Sequence, residues 1–514
     1  MTGLPRGWAS ANIPDVLAEL PTGNIIDQGW SPKCESFPSE DDDTWGALKT
    51  TAIQDGRFEP QHTKQLPEHL EPKPALEVRE GDLLMTCAGP RVRCGVICRV
   101  ERVRPKLFIS GKMYRFRPNP EIVDGDYLLG ALRSPDLQLA IDQIKTGGSE
   151  SGLNLTQDRF KSLSLPLPPL PEQLRIVRKL ETLSARSTAA RTHLTAIEKL
   201  VERYKAGLLS AAFSGELTAD WRSTNPPHQS ASEYVRDLLE ARQREWLKRE
   251  KLKKPDQPAK KLSVRYHTPE WEVPEGFTQL PVGWAWISTE ALSTKVADGV
   301  HKKPDYVEDG IPFIMVKDMT SGTGISFSDT RYVSAKDHAE FIKRTDPERD
   351  DILITKDGTL GVVRRVMTDD QFSIFVSVAL VKPTLREMSP YLEYAYQAPQ
   401  VQEQMVGVGS GLQHIHLTDL RKDLVPVAPL DEQREIVRRI ETAFAKIDRL
   451  AAEAAKALKL LGHLDQCILT EAFAGDLVPQ DPNDEPAETL LARIRAKRQA
   501  QAKVRRTRRT KEEA

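Results

Sequence analysis

The stretch "PLPEQLRIVRKLETLS" begins at Pro169 and returns as "PLDEQREIVRRIETAF" at Pro429, and this recurrence constrains the fold more than any other feature of the chain. Glu172 answers Glu432 and Phe213 answers Phe473, both 260 residues apart, so the two segments align without a gap. The flanks recur too: "LPRGW" at Leu4 and "LPVGW" at Leu280, "FSGEL" at Phe213 and "FAGDL" at Phe473. Such spacing describes two copies of one unit, each a globular part followed by a helix and a charged tail.

Inside each repeated segment, apolar or small residues alternate at spacings of four and three. In the first they run from Ile176 through Leu183, Ala190, Ile197 and Tyr204 to Leu208, and in the second from Ile436 through Ala443, Leu450, Ala457 and Leu464 to Ile468. This is a heptad seam, and a helix of about 43 residues is roughly 64 Å long at ~1.5 Å per residue. Antiparallel pairing is the simpler arrangement, because it brings the end of the first helix beside the start of the second with no long return of the chain. The expected organisation is a globular domain over 1–165, a helix over 166–217 and a charged linker over 218–279. A second globular domain over 280–424, a second helix over 425–477 and a basic tail over 478–514 complete it.

The globular parts read as mixed α/β, giving an α+β chain with an internal two-fold repeat. Short β-branched and aromatic runs ("GDLLMT", "GVICRV", "MYRFRP"; "IPFIMV", "DILITK", "VSVALVKP") are punctuated by Gly, Pro and Asp. One turn is common to both copies: "DLLMTCAGP" at Asp82 and "DILITKDGT" at Asp351 each end a strand in Thr, then turn at Gly and continue into an Arg-bearing strand. A Thr hydroxyl with turn amides can hold a phosphate, and Arg can reach a base edge in a fork that Lys lacks. Thr86, Arg91, Arg93, Thr355, Lys356, Arg364 and Arg365 are therefore candidate DNA contacts.

The charge is distributed in a way that suits a polyanion met on chosen surfaces. The formal net charge is only -1, yet Arg91 to Arg117 carries nine Arg or Lys against one Glu, and Arg493 to Lys511 carries ten and no acid. For any one such run the plain alternative is a solvated face or frayed tail. Five cysteines form no paired C-x-x-C set, which argues against structural zinc and a disulfide framework. With no run near the roughly 18 apolar residues of a spanning helix and no secretory-type N-terminus, the chain is expected to work in the cytoplasm, away from membranes.

Two variable units, each introduced by "LPxGW" and closed by "P-L-x-E-Q-x-x-I-V", a long helix and "F-[SA]-G-[ED]-L", resemble the specificity subunit of type I restriction-modification enzymes. "DGVHKKPDYVEDGIPFI" at Asp298 resembles a common opening of that family's target recognition domains, and adds His301, Lys302 and Lys317 as DNA-contact candidates. The resemblance implies two target recognition domains, each reading half of a split double-stranded DNA sequence. It also implies two antiparallel helices that dock two methyltransferase subunits, with restriction/translocase subunits joining in defence against phage. S-adenosylmethionine, ATP and Mg would then belong to the partner subunits and no cofactor to this chain. Glu172, Gln173, Glu432 and Gln433 are expected to present the same partner surface twice, the alternative being helix capping. The first unit departs from the common opening with "TGNIIDQGWSPKCESF".

Sequence features that imitate catalytic motifs lack their context. "NPPH" at Asn225 mimics the base-gripping motif of amino-methyltransferases but lies in a polar linker. "ISGKM" at Ile109 has Met where a phosphate loop needs Ser or Thr. His414 and His416 in "LQHIHL" have no acid or Cys beside them to complete a metal site. A DNA-reading, non-catalytic subunit is the expected function; a stand-alone enzyme would need a reactive cluster not seen here, and a coiled-coil scaffold binding proteins through its globular ends leaves the Arg-bearing strands unexplained.

Overall fold

The computed structural model describes residues 3–409 and 413–512, with side chains through Ala500. The chain divides into two compact units, Met1–Thr195 with Ala455–Ala514, and Ala196–Ala454.

In the first unit a four-stranded antiparallel sheet is ordered Ile26–Gln28, Met113–Phe116, Leu83–Thr86, Ile97–Arg99. A smaller sheet places Gly46–Leu48 antiparallel to Thr63–Gln65 and parallel to Leu107–Ile109. Helices Gly125–Arg133 and Pro135–Gln143 follow, the first started by Asp124, whose side chain accepts from the amides of Asp126 and Tyr127, the second by Ser134. The second unit repeats this plan. Its main sheet is ordered Ser293–Asp298, Val378–Pro383, Ile352–Thr355, Val363–Arg365, and Ile311–Ile314 lies parallel to Ser373–Ile374 in the smaller one. Even an ion pair to a buried aspartate is retained: Arg117 bonds Asp82 at 2.5 Å, and Lys382 bonds Asp351 at 2.6 Å at the same place.

The repeated motifs meet in one joint per unit. In the first, Trp8 donates its indole N–H to Glu172 at 3.0 Å, tying "LPRGW" to the start of the long helix Leu170–Ser214. Gly475, just past the other long helix Leu430–Ala474, holds φ +91° with Pro5 so close that a Cβ would lie 2.4 Å from its Cγ. The second unit mirrors this: Trp284 donates to Glu432 at 2.8 Å, and Gly215 at φ +84° packs on Pro281. Each joint thus gathers the start of one long helix and the end of the other, which makes the pairing antiparallel. Rings close the packing, Tyr127 on Phe473 at 5.3 Å and Tyr391 on Phe213 at 5.1 Å.

Between the joints the seam is thinner than its heptads predict. Ile176, Ile436 and Ile440 are buried, most other seam residues are half-buried, and Tyr204, Leu450 and Leu464 are exposed, because a lone helix pair covers only one side of each helix. Polar links cross it: Ser187 and Arg191 to Asp465 in the first unit, Lys205 to Asp448 in the second.

The expected linker and tail each contain a long helix with the same task. Ala231–Lys253 buries Tyr234 and Leu238 in the second unit, and Ala487–Glu512 buries Leu490, Leu491 and Ile494 in the first. Arg242 then donates to the carbonyls of Glu290 and Ser293, as Arg498 does to those of Pro14 and Leu17. The proximal part of the C-terminal basic run is therefore docked, with Arg495 on Asp15 and Lys497 on Glu121. No helix among the described residues is long and apolar enough to cross a membrane.

Candidate DNA interface

Three turns form a rim at one end of each main sheet. The first follows the edge strand at Gly29 or Gly299, where the chain passes so near a neighbouring carbonyl that an added Cβ would meet Ile109 O at 2.1 Å or Ile374 O at 2.0 Å. Only glycine fits, and the same bonds flank it: the Gly29 amide to Met113 O and the Gly299 amide to Val378 O, both 3.2 Å. The unfamiliar "DQGW" of the first unit thereby takes the place of "ADGV" in the second.

The Thr-ended strand makes the second turn. Thr86 and Thr355 are buried; Thr86 Oγ1 accepts from the Val96 amide at 3.1 Å, and Thr355 Oγ1 accepts from the Val362 amide at 2.9 Å and donates to Thr359 O. The two hydroxyls, expected to hold a phosphate, close the turn itself in the free chain. The next residue is Cys87 in one unit and Lys356 in the other, bonded alike to the third element, a hairpin: the Leu155 amide to Cys87 O and the Ile415 amide to Lys356 O, both 2.8 Å. Burial pushes the Cys87 thiol up to about 12, so it is a core group rather than a nucleophile. Asn154 and His414 occupy matching hairpin positions.

The rims share a backbone but carry different chemistry. In the second, Arg344 bonds Asp298 and lies 3.0 Å from His301, Lys356 lies 3.2 Å from Asp357 and 3.8 Å from Asp298, and the His414 and His416 rings meet edge-on at 4.4 Å. Lys302 is exposed beside them. In the first, Gln28 donates to Gly111 O, Ser31 accepts from the Gly111 amide, and Lys112 is exposed. Arg91 stands near the hairpin with its guanidinium between Asp142 and Glu150, at 2.6 and 2.7 Å.

The structure therefore brings His301, Lys302 and Lys356 together on one rim. It commits others to the fold. Arg93 donates to the carbonyls of Thr50 and Ile53, Arg364 to that of Gly322, Arg365 pairs with Asp350 and Glu393, and Lys317 with Asp329. Each of these four, expected to contact DNA by base edge or phosphate, has a partner within the free chain, although Lys317 is half-exposed and its partner Asp329 fully so. Arg344 and Asp298 escaped sequence reasoning, being 46 residues apart with no spacing signal.

Glu172, Gln173, Glu432 and Gln433, expected to present a partner surface, are buried in the free chain. Glu432 accepts from Trp284, Thr218 and Arg222. Gln173 donates to Ile122 O and Pro168 O and accepts from the Asp124 amide. Burial raises the pKa of Glu172, with Trp8 opposing it. Apolar surface left open on the helices lies elsewhere: besides Leu174 and Leu450, it falls at Leu200 (57% exposed) and Tyr204 (58%), and at Leu460 (59%) and Leu464 (51%). The last four occupy the same two positions of the repeat.

Comparison with known proteins is consistent with this arrangement. Residues 75–199 and 297–459 match the family model of the type I restriction modification DNA specificity domain. The EcoEI specificity subunit of Escherichia coli is 38% identical over 178 residues, 35% of this chain but only 29% of that relative. The EcoKI specificity subunit of Escherichia coli K12 is 23% identical over 97% of both chains. Among solved structures, the HsdS subunit from Thermoanaerobacter tengcongensis superposes with TM-score 0.51 at 18% identity, covering 92% of this chain and 98% of that one. A chain from work on complex assembly in a type I R-M system superposes with TM-score 0.58 at 20% identity, covering 93% and 100%.

Proposed function

Since the chain belongs to the family of type I restriction modification DNA specificity domains, we propose that it is the subunit that selects the DNA sequence in a type I restriction-modification complex and that it performs no chemistry itself. Relatives across the whole length bear the name specificity subunit. We further propose a bipartite, asymmetric target, one half read by each rim. The observation that carries this is the twin rim: one backbone scaffold carries Gln28, Ser31 and Asn154 in one unit, and Asp298, His301 and His414 at the matching positions of the other, while the core thiol Cys87 stands where the other unit has the charged Lys356. Identical scaffolds with unrelated donors and acceptors place different hydrogen-bonding patterns against base edges, so the two halves of the target differ. Mapping methylated sites in a host carrying the complex tests this, and a single continuous palindrome would refute it.

The exposed pairs Leu200–Tyr204 and Leu460–Leu464 favour two copies of one partner, since each pair repeats the other at i and i+4 on a helix. We assign them to two methyltransferase subunits, which would hold S-adenosylmethionine, while restriction subunits would supply ATP- and Mg-dependent translocation and cleavage. A base must leave the helix to be methylated, so a reader that holds flanking DNA and a separate enzyme that receives the base divide the work naturally.

A further inference from the structure

In the second unit a cavity of about 730 Å³ opens between the stretch 270–277 and the turn 419–424. Asp423 lies at its wall, 6% exposed, and its Oδ2 is enclosed with no hydrogen-bond partner among the described residues. Other acids line the cavity, namely Glu270, Glu272, Glu290 and Asp419, against Arg421 and Lys422. Of the two cations, Arg421 donates to the carbonyl of Val296 at 2.9 Å. Two aromatic rings complete the lining: Trp271, anchored by its indole N–H on Trp286 O at 2.8 Å, and Phe277, seated edge-on against Trp286 at 5.0 Å.

The fold does not require a carboxylate at this position. The Thr289 amide bonds Asp423 O at 2.9 Å just as the Ile13 amide bonds Leu163 O at 3.0 Å, so the first unit places a buried leucine where the second has Asp423. An unpaired buried carboxylate costs stability, and its presence calls for a counter-charge. A metal ion does not suit the site, because no three His, Cys, Asp or Glu side chains among the described residues are grouped to hold one. A single buried carboxylate with aromatic walls suits a monovalent organic cation instead.

We propose that this cavity binds a primary ammonium group, with Asp423 as its counter-ion and Trp271 and Phe277 as the walls over its alkyl chain. Two sources share that chemistry, a free polyamine and a lysine side chain. Burial, reinforced by Asp419, holds the Asp423 carboxyl near pKa 7, so binding strengthens as the carboxyl ionises.

The test titrates the full chain with spermidine and, separately, with N-acetyl-lysine methylamide, reading the rise in melting temperature at pH 6 and pH 8 for the natural protein, Asp423→Leu and Asp423→Asn. At least one probe should bind the natural protein about tenfold more weakly at pH 6 than at pH 8, since ionisation through pH 7 changes the anion fraction by about that factor. Both variants should lose affinity at least tenfold at pH 8 and lose the pH dependence. Stabilisation by spermidine alone identifies a free polyamine, and by the lysine derivative a protein side chain. Equal binding by the natural protein and both variants, or no binding by either probe, overturns the proposal. Methylated-site sequences should be unchanged in the variants, so a failure here is distinguishable from a failure of the DNA-reading assignment.

Discussion

Changing Leu460 and Leu464 together to Glu should remove one methyltransferase subunit from the complex and leave the other. Both side chains are more than half exposed. Covering the remainder contributes roughly 1 kcal/mol or more each, on a scale of about 1.5 to 3 kcal/mol for a fully buried Leu. Each Glu forced into that interface adds a desolvation cost of about 1 to 3 kcal/mol. The pair together should lose about 4 kcal/mol or more, which is a thousandfold in affinity. The free chain should be almost unaffected, because exposed helix positions tolerate Glu to within about 0.5 kcal/mol. Mass measurement of the purified complex should fall from two methyltransferase subunits per chain to one. Leu200→Glu with Tyr204→Glu should give the same loss, and all four changes should leave the chain alone. Two subunits retained in either double variant, or both lost in one, would show that these pairs are not two independent docking points.

Further outcomes can be measured on the same protein. The Asp423 carboxyl titrates near 7 in the folded chain against an ordinary 3.8, so its contribution to stability is fully present below 3.8 and lost as pH rises through 7. That loss is about 4 kcal/mol over the window, and Asp423→Asn should flatten this part of the urea-stability profile between pH 4 and 8. Gly475→Ala should destabilise the first unit by at least about 1 kcal/mol, since both its positive φ and Pro5 oppose a Cβ, with a lower urea midpoint as the readout. Arg115→Met strands the buried Asp27, which it bonds at 2.5 Å, and should cost about 3 to 5 kcal/mol by the same measurement. Lys356→Ala with His301→Ala should alter methylated-site preference in one half of the target only; preference unchanged in both halves would place base reading elsewhere.

The repeat, the long antiparallel helices and the mixed α/β character of the domains were legible because each rests on local periodicity. Ile176 and Ile436 recur at the same heptad place, and 3.6-residue geometry does the rest. The joint was legible only in its letters. "LPxGW" and "P-L-x-E-Q" are more than 140 residues apart in each copy, and nothing in either predicts that Trp8 bonds Glu172. The burial of Glu172 and Gln173 was not legible either, because conspicuous polar residues at a helix start look alike whether they face a partner or the core. The surroundings of the Arg-bearing strands were illegible for a similar reason. Arg93 and Arg365 have the donors to read a base, but the carbonyls and carboxylates that occupy them come from distant segments. Gly29 shows the opposite case: the first rim carries no familiar opening, yet the steric demand of Ile109 O specifies the same glycine.

The order in which the core of the first unit is assembled has a consequence for synthesis. Its packing includes Ala472, Phe473, Ala487, Leu490, Leu491 and Ile494, whereas the second unit is continuous from Ala196 to Ala454. The half made first on the ribosome is therefore the half finished last. At ~5 to 20 residues per second, the intervening stretch takes on the order of 10 to 50 s to translate, during which the N-terminal sheets lack part of their apolar cover. A chain released before Phe473 leaves the ribosome with a closed second unit and an open first one, a species whose uncovered N-terminal sheets are exposed to proteolysis.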